Sequence, residues 1–448
     1  MAAPTSEIET LPAGESAESG TAVPTAQAFA VAPAIKALSL KKNFLWTFAG
    51  NAVYAGCQWG MLIVLAKLGS KAIVGQFALG LAVTAPAFML SNLQLRAVQA
   101  TDARGQFRFD EYLSLRLLGT LLTLVALPLV CWLSGYGTAT ALVICAVGLA
   151  KGIESISDVI FGLLQHHERM DRIAISMMLK GPLSLAALGL GMAVWGNLLW
   201  ATLAMAAAWL VVLLSWDVRS ASRVGHRWSL GGLSGMSGRR LMELAWLALP
   251  LGVVTMLFSL NVNIPRYVLE DYLGEAELGI FAALAALMLA GNQVINALGQ
   301  SASPRLAKLW QSGSSAGFLR ILVRLLAIGL CVGLVSVAVA WFFGQPLLTL
   351  LYSADYAAHW QLLVWLMLAA TVNYLASFMG YAVTAARSFR MQAPVFTVVV
   401  VVTTLWALWD IPRSGLLGGA HAVLAGQLSH LLGGALLLGY LFLRRRPA

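Results

Sequence analysis

Charge is scarce in this 448-residue sequence: Asp, Glu, Lys and Arg together make up 11% of it, where an ordinary soluble domain carries roughly 25%. With 59% of the residues hydrophobic and a mean hydropathy of +0.80, a soluble fold would have nowhere to bury its apolar side chains. The apolar stretches also lack the polar/apolar alternation that an outer-membrane barrel needs over about 10 positions per strand. What is there instead is a series of runs of roughly 20 residues, each long enough to cross a hydrocarbon core of about 30 Å as a helix. The expected fold class is an all-α polytopic membrane protein.

Other absences narrow the function. Only four cysteines occur, Cys57, Cys131, Cys145 and Cys331, all inside apolar runs, where a thiol acts as a small hydrophobe rather than as a bridge or metal partner. His166-His167 has no metal-ligand spacing to other His or Cys, so neither a metal nor a cofactor is expected. No glycine-rich loop ends in the Lys-Ser/Thr pair that cradles phosphates, which argues against ATP hydrolysis. Gly313 to Gly317 fits G-x-S-x-G formally, but a nucleophile elbow follows a strand and this pentapeptide sits in a polar loop before a helix. An enzyme is not expected. The net charge of +10 comes with no soluble basic domain, so no nucleic-acid partner is expected either.

Residues from Met1 to about Ala34 contain no Lys or Arg and are rich in Ala, Pro, Ser, Thr and Glu. Residues 1–40 therefore read as a disordered tail and not as a signal peptide, which needs a basic start and an apolar core. Twelve spans follow, at roughly 44–66, 72–92, 113–134, 138–162, 173–194, 196–216, 242–264, 279–300, 318–343, 359–385, 392–410 and 416–443. A basic connection, 217–241, divides an N-lobe (41–216, six spans) from a C-lobe (242–448, six spans). Most of the 29 Lys and Arg residues fall on the side of the termini, which predicts both termini in the cytoplasm. Leu68-Gly69 and Gly75-Gln76-Phe77-Ala78 at the second span recur as Leu273-Gly274 and Gly279-Ile280-Phe281-Ala282 at the eighth. Copies six spans apart share an orientation and predict two six-helix lobes around a central cavity, an architecture of transporters.

Charges inside spans cost at least about 2.5 kcal/mol each on insertion scales and call for an account. Lys151, Glu154 and Asp158 stand at i, i+3 and i+7 of the fourth span, within roughly 60° of arc on one helix face. They form either a polar stripe in a wet cavity, Lys151 meeting an anion and a carboxylate titrating or holding a cation, or a neutralised pair tying helices together. Lys180, two turns into the fifth span and followed by Gly181-Pro182, either extends the cationic surface or snorkels to the interface. For Arg116 and Arg324, a turn inside their spans, snorkelling is the expected behaviour. Pro265 is expected to end the seventh span near Arg266, and Glu270, Asp271, Glu275 and Glu277 beyond it to form a solvated loop. Asn51, Gln58, Asn292, Gln293 and Asn296 line a cavity or bond between helices, and interhelical bonding is the simpler reading.

Two first-half stretches carry a resemblance: Ser91 to Arg96 with Ala100-Thr101-Asp102 and Phe109 to Arg116, and Lys151-Gly152-Ile153-Glu154-Ser155-Ile156-Ser157-Asp158 running into Gly162 to Gln165 and Glu168 to Arg172. Together they resemble the Wzx-type oligosaccharide flippases of the multidrug/oligosaccharidyl-lipid/polysaccharide exporter superfamily. Pro265-Arg266-Tyr267, the Leu273-Gly274 to Phe281 segment and Ser303-Pro304-Arg305-Leu306 are similar to the second-half pattern of the same family. The resemblance implies two lobes that alternate between inward-open and outward-open forms in the bacterial inner membrane. It implies a cargo, an oligosaccharide on undecaprenyl pyrophosphate, flipped to the outer leaflet for surface polysaccharide such as the O-antigen of lipopolysaccharide. Lys151, Lys180, Arg116 and Arg266 would then bind the pyrophosphate, and Glu154 or Asp158 would couple an H+ or Na+ gradient. Membrane lipids and polysaccharide polymerase machinery would be the partners. The alternative is a cation-coupled multidrug exporter of the same superfamily, which would want an acidic cavity instead.

Overall fold

The computed structural model describes residues 38–102, 105–225, 237–386 and 391–444. Residues 1–37 of the expected disordered tail, the middle of the basic connection, and Arg104, Arg227, Arg387, Arg390, Arg445 and Arg446 lie outside the described residues, and the first helix opens at Leu40. Twelve helical segments are long and apolar enough to cross a membrane: Lys42–Leu68, Lys71–Thr101, Phe109–Leu133, Thr138–His166, Met170–Trp195, Leu198–Arg223, Gly238–Leu273, Glu275–Gln311, Ser315–Leu351, Trp360–Ala385, Gln392–Ser414 and Leu416–Arg444. Each coincides with one expected span, and no strand occurs among the described residues. Local chemistry sets several boundaries. Ser70 accepts from the Ile73 amide at 3.3 Å to open the second span, and Asn197 accepts from Leu199 at 2.9 Å to open the sixth.

The seventh span corrects two expectations. It does not stop at Pro265 but runs on to Leu273, where Gly274 at φ +83° ends it. A proline is tolerated inside a membrane helix when neighbouring helices pack around it, and Pro265 is buried. The four acids beyond it are therefore not a solvated loop. Glu270 and Asp271 sit in the last turn of this helix and Glu275 and Glu277 in the first turn of the next. Of the four only Asp271 is exposed, and Glu275 accepts a hydrogen bond from Thr140 of the fourth span.

Spans 1–6 pack as span 1 on 5, 2 on 4, 3 on 4, 5 on 6 and 4 on 6; spans 7–12 repeat the pattern as 7 on 11, 8 on 10, 9 on 10, 11 on 12 and 10 on 12. The molecule is two six-helix lobes built on one plan. Their contact is made by the repeated motif itself, at the end away from the termini. A Cβ on Gly75 would stand 1.7 Å from the Glu275 carbonyl oxygen, and one on Gly279 would stand 2.0 Å from that of Lys71. Only glycine at both positions lets the second and eighth spans cross this closely. Lys71 pairs with Asp355 at 3.1 Å, the Trp59 indole donates to Tyr352 Oη at 3.3 Å, and Tyr352 donates to the Ala283 carbonyl at 2.8 Å.

Toward the other end, the seventh span still rests on the second, with Gly252 against Leu90 and Leu93. There Arg240 bridges to Glu111 at 3.0 Å. The first and eighth spans part, leaving a cavity of about 380 Å³ edged by Phe44, Asn51, Trp59, Gln293 and Asn296. The lobes are thus closed at the far end, and at the end that carries the termini they part between the first and eighth spans while staying joined between the second and seventh.

Candidate functional site

The fourth span puts Lys151, Glu154, Asp158 and Gln165 on one face, and that face lines a cavity of about 530 Å³ in the first lobe. Tyr54 comes from the first span, Asn92 and Arg96 from the second, and Lys180 from the fifth. Arg96 reaches the pocket because the second span breaks for two left-handed residues, Leu93 at φ 50° and Gln94 at φ 52°, before restarting at Leu95.

Every carboxylate in the pocket is held. Lys151 Nζ lies 2.8 Å from Glu154 Oε2, and Tyr54 Oη donates to Glu154 Oε1 at 2.7 Å. Asp158 lies between two guanidinium groups, Arg116 at 3.1 Å and Arg96 at 3.4 Å. Arg96 also donates to Gln165 Oε1 at 3.0 Å, and Arg116 to Ser155 Oγ at 3.4 Å. Lys180 Nζ donates to Asp217 Oδ2 at 2.8 Å and to the Ser157 hydroxyl. Aromatic faces back the cations, Trp209 at 5.6 Å from Lys151 and Phe161 at 5.1 Å from Lys180, as the ring quadrupole favours. Four cations, Arg96, Arg116, Lys151 and Lys180, face three anions, Glu154, Asp158 and Asp217. The cluster carries one positive charge in excess.

The residues singled out from sequence do not all share this place. Lys151, Glu154, Asp158 and Lys180 line the pocket, whereas Arg116 lies behind it and Arg266 lines neither it nor its neighbours. Arg116 does not snorkel: it is 0% exposed and locked to Asp158. Lys180 does not snorkel either, at 2% exposure beside a fully buried Asp217. Both are drawn inward because a buried carboxylate lies closer than the interface does. Arg266 sits on the seventh span, donating to Asn263 Oδ1 at 2.8 Å.

Arg96, Tyr54 and Asp217 were not singled out from sequence. Asp217 stood just past the expected end of the sixth span, but a π-helical turn, Leu213–Asp217, carries that span on to Arg223 and turns the carboxylate inward. A charged residue directly following an unbroken apolar run was the available signal.

A family model described as "Polysaccharide biosynthesis protein" matches residues 40–310. The chain is similar to the capsular polysaccharide biosynthesis protein CapF of Staphylococcus aureus, 27% identical over 393 residues that cover 87% of this chain and 97% of that one. Among solved structures it resembles an inward-facing multidrug resistance MATE family transporter of the MOP superfamily, with a TM-score of 0.68, 13% identity, and 88% and 95% of the two chains covered. It also resembles the lipid II flippase MurJ in an inward closed conformation, with a TM-score of 0.68, 13% identity, and 89% and 87% covered. These likenesses agree with the Wzx-type resemblance of the sequence motifs and with the two-lobe fold.

Proposed function

The chain belongs to the polysaccharide biosynthesis protein family, and from that premise we propose that it flips undecaprenyl-pyrophosphate-linked oligosaccharides across the bacterial inner membrane by alternating access. The basic, terminal end is taken as cytoplasmic by the positive-inside rule, so the form described above is open inward. The observation that carries this reading is the first-lobe pocket, net positive and sheltered within the membrane. A pyrophosphate needs fixed cations there, while its lipid tail can remain in the bilayer. A cationic drug would meet the wrong sign of charge, which disfavours the multidrug alternative.

The geometry divides the cations into two pairs. Side chains of Arg96 and Lys151 are 32% and 26% exposed and can turn to an anion; the guanidinium fork of Arg96 suits a phosphate edge. Arg116 lies behind the pocket at 0% exposure, and Lys180, at the pocket's edge, is 3% exposed and tied to Asp217. When phosphate takes Arg96 and Lys151, Asp158 keeps Arg116, but Glu154 loses its counter-ion and keeps only the Tyr54 hydroxyl. A carboxylate within the membrane that loses its counter-ion is costly, so H+ or Na+ binding at Glu154 is linked to cargo occupancy. Glu154 is then the coupling group and Asp158 its fixed neighbour. Polysaccharide polymerase machinery, working on the outer leaflet, would receive the product.

The test is the leaflet distribution of undecaprenyl-pyrophosphate oligosaccharides in spheroplasts of a strain lacking this protein. Accumulation facing the cytoplasm that the wild-type gene reverses and Lys151→Ala does not is the expected result. An unchanged distribution in a strain with no second flippase refutes the function. Gradient-dependent flipping that survives Glu154→Gln refutes the coupling role.

A further inference from the structure

The second lobe faces the central opening with a surface of different chemistry. A recess of about 260 Å³ is edged by Phe258, Asn296, Tyr381, Gln392, Phe396 and His430. Asn296 continues it into the larger cavity between the first and eighth spans, beside Gln293 and Gln300. Among the described residues neither cavity is lined by a single Asp, Glu, Lys or Arg, and the tenth span, Trp360–Ala385, contains none of these residues. The fourth span, which occupies the equivalent place in the first lobe, carries Lys151, Glu154 and Asp158.

The wall is also preformed. The Tyr381 ring lies flat on Gly299, where a Cβ would come within 2.2 Å of it, and its hydroxyl donates to Asn296 Oδ1 at 3.4 Å. Gln392 donates to Thr384 at 3.1 Å. The Phe396 ring stands between Phe258 at 6.1 Å and His430 at 4.9 Å. Asn292 is the interhelical bond that the sequence suggested, accepting from Asn373 at 2.9 Å. Gln293, Asn296 and Gln300 are exposed at the opening instead.

Primary amides offer donors and acceptors side by side without charge, and aromatic faces accept C–H bonds. A sugar ring presents that pair of features, hydroxyls around its edge and C–H groups on its faces. An isoprenoid tail has no use for the amides, and a pyrophosphate would want cations. We propose that this neutral wall of the second lobe binds the oligosaccharide of the cargo while the first-lobe pocket holds the pyrophosphate, an assignment that rests on the function proposed above. The first lobe thereby reads what all such cargos share, and the second reads the sugar.

The test uses the full chain in nanodiscs and two probes, undecaprenyl pyrophosphate and the lipid-linked oligosaccharide fraction extracted from the host's membranes. The wild-type protein is expected to bind the glycosylated lipid more tightly than the bare one. Asn296→Ala and Gln300→Ala are each expected to weaken binding of the glycosylated lipid by about fivefold, one hydrogen bond's worth, Phe396→Leu to weaken it through the lost aromatic face, and all three to leave the bare lipid unchanged. Lys151→Ala weakens both lipids alike. Equal wild-type affinities, or variants that leave the preference for the glycosylated lipid intact, overturn the assignment while the flippase reading stands. A wild-type protein that binds neither lipid overturns both.

Discussion

Lys180 and Asp217 decide whether the buried cations of the first lobe serve the fold or touch the cargo. Their side chains are 3% and 0% exposed and 2.8 Å apart. Removing one partner of such a pair costs about 3–5 kcal/mol, because the other charge is left buried and alone, whereas replacing both by apolar side chains of similar volume is often neutral. The second Asp217 oxygen, Oδ1, already lacks a hydrogen-bond partner among the described residues, so the pair is not fully satisfied and its joint removal should be mild. Lys180→Met and Asp217→Leu alone are expected to lower the apparent melting temperature of the detergent-solubilised protein clearly, as followed by size-exclusion chromatography after heating. Lys180→Met/Asp217→Leu together should recover most of the loss, and flipping should recover with it. If the double variant is as unstable as either single one, the ion pair is not what the residues supply. If it folds like the wild type and flips nothing, Lys180 meets the cargo and the division of cations into exposed and sealed pairs is wrong.

Arg96→Ala is expected to abolish pyrophosphate binding with little change in melting temperature, while Arg116→Met, which removes a fully buried guanidinium and leaves Asp158 on Arg96 alone, lowers the melting temperature more than Arg96→Ala does; spin-labelled or fluorescent lipid binding beside thermal unfolding separates the two. Gly75→Ala sets a methyl group against the Glu275 carbonyl and should hold the far ends of the second and eighth spans apart, seen as a longer distance between spin labels there; an unchanged distance refutes the close-crossing argument. Tyr352 and Tyr356 lie between the ninth and tenth spans, where burial pushes both hydroxyls up to about 12. A group whose folded value is raised stabilises fully below its unfolded value and loses that contribution as pH climbs through the folded one. The far-end contact should therefore weaken between about pH 10 and 12, with tyrosinate absorbance appearing late, and Tyr352→Phe should flatten that dependence.

The twelve spans were legible because the bilayer imposes one rule, length and apolarity, on every one of them. The repeat was legible as the spacing of Gly75 and Gly279, since close crossing admits no other side chain. The stripe of Lys151, Glu154 and Asp158 was legible from helical periodicity, and its grouping with Tyr54 and Arg96 was not. Those partners arrive from other helices, Arg96 after a two-residue left-handed break that no local pattern announces. Arg116 was misplaced at the interface, and Lys180 left open between interface and interior, because snorkelling is judged from depth alone, and depth says nothing of a carboxylate on the next helix. Pro265 misled for a related reason: the rule that proline ends a helix belongs to water, and its burial among packed helices removes the premise.

Two lobes of one plan with unlike linings leave the transport cycle a specific problem, which is to reopen the far end. The polar links there are few and weak. Lys71 and Asp355 are 34% and 68% exposed, and such a pair contributes roughly 0–1 kcal/mol. Trp59 to Tyr352, Thr140 to Glu275 and Tyr267 to the Ala82 carbonyl add neutral or singly charged hydrogen bonds. The rest of the closure is apolar, Phe77 with Ile280, Phe281 and Leu284, and apolar surface parted within a bilayer can be covered again by lipid tails, which are as apolar as the partner lost. The charged pocket, in contrast, lies wholly on spans of the first lobe and moves with it as a unit, its ion pairs unbroken by the parting of the lobes. A cargo held by pyrophosphate in that lobe and by sugar on the other would resist the separation at the near end and draw the two walls together. Closing around the cargo then supplies what the weak far-end contact loses, so the chain without cargo should rest in the form described here, open at the end that carries the termini.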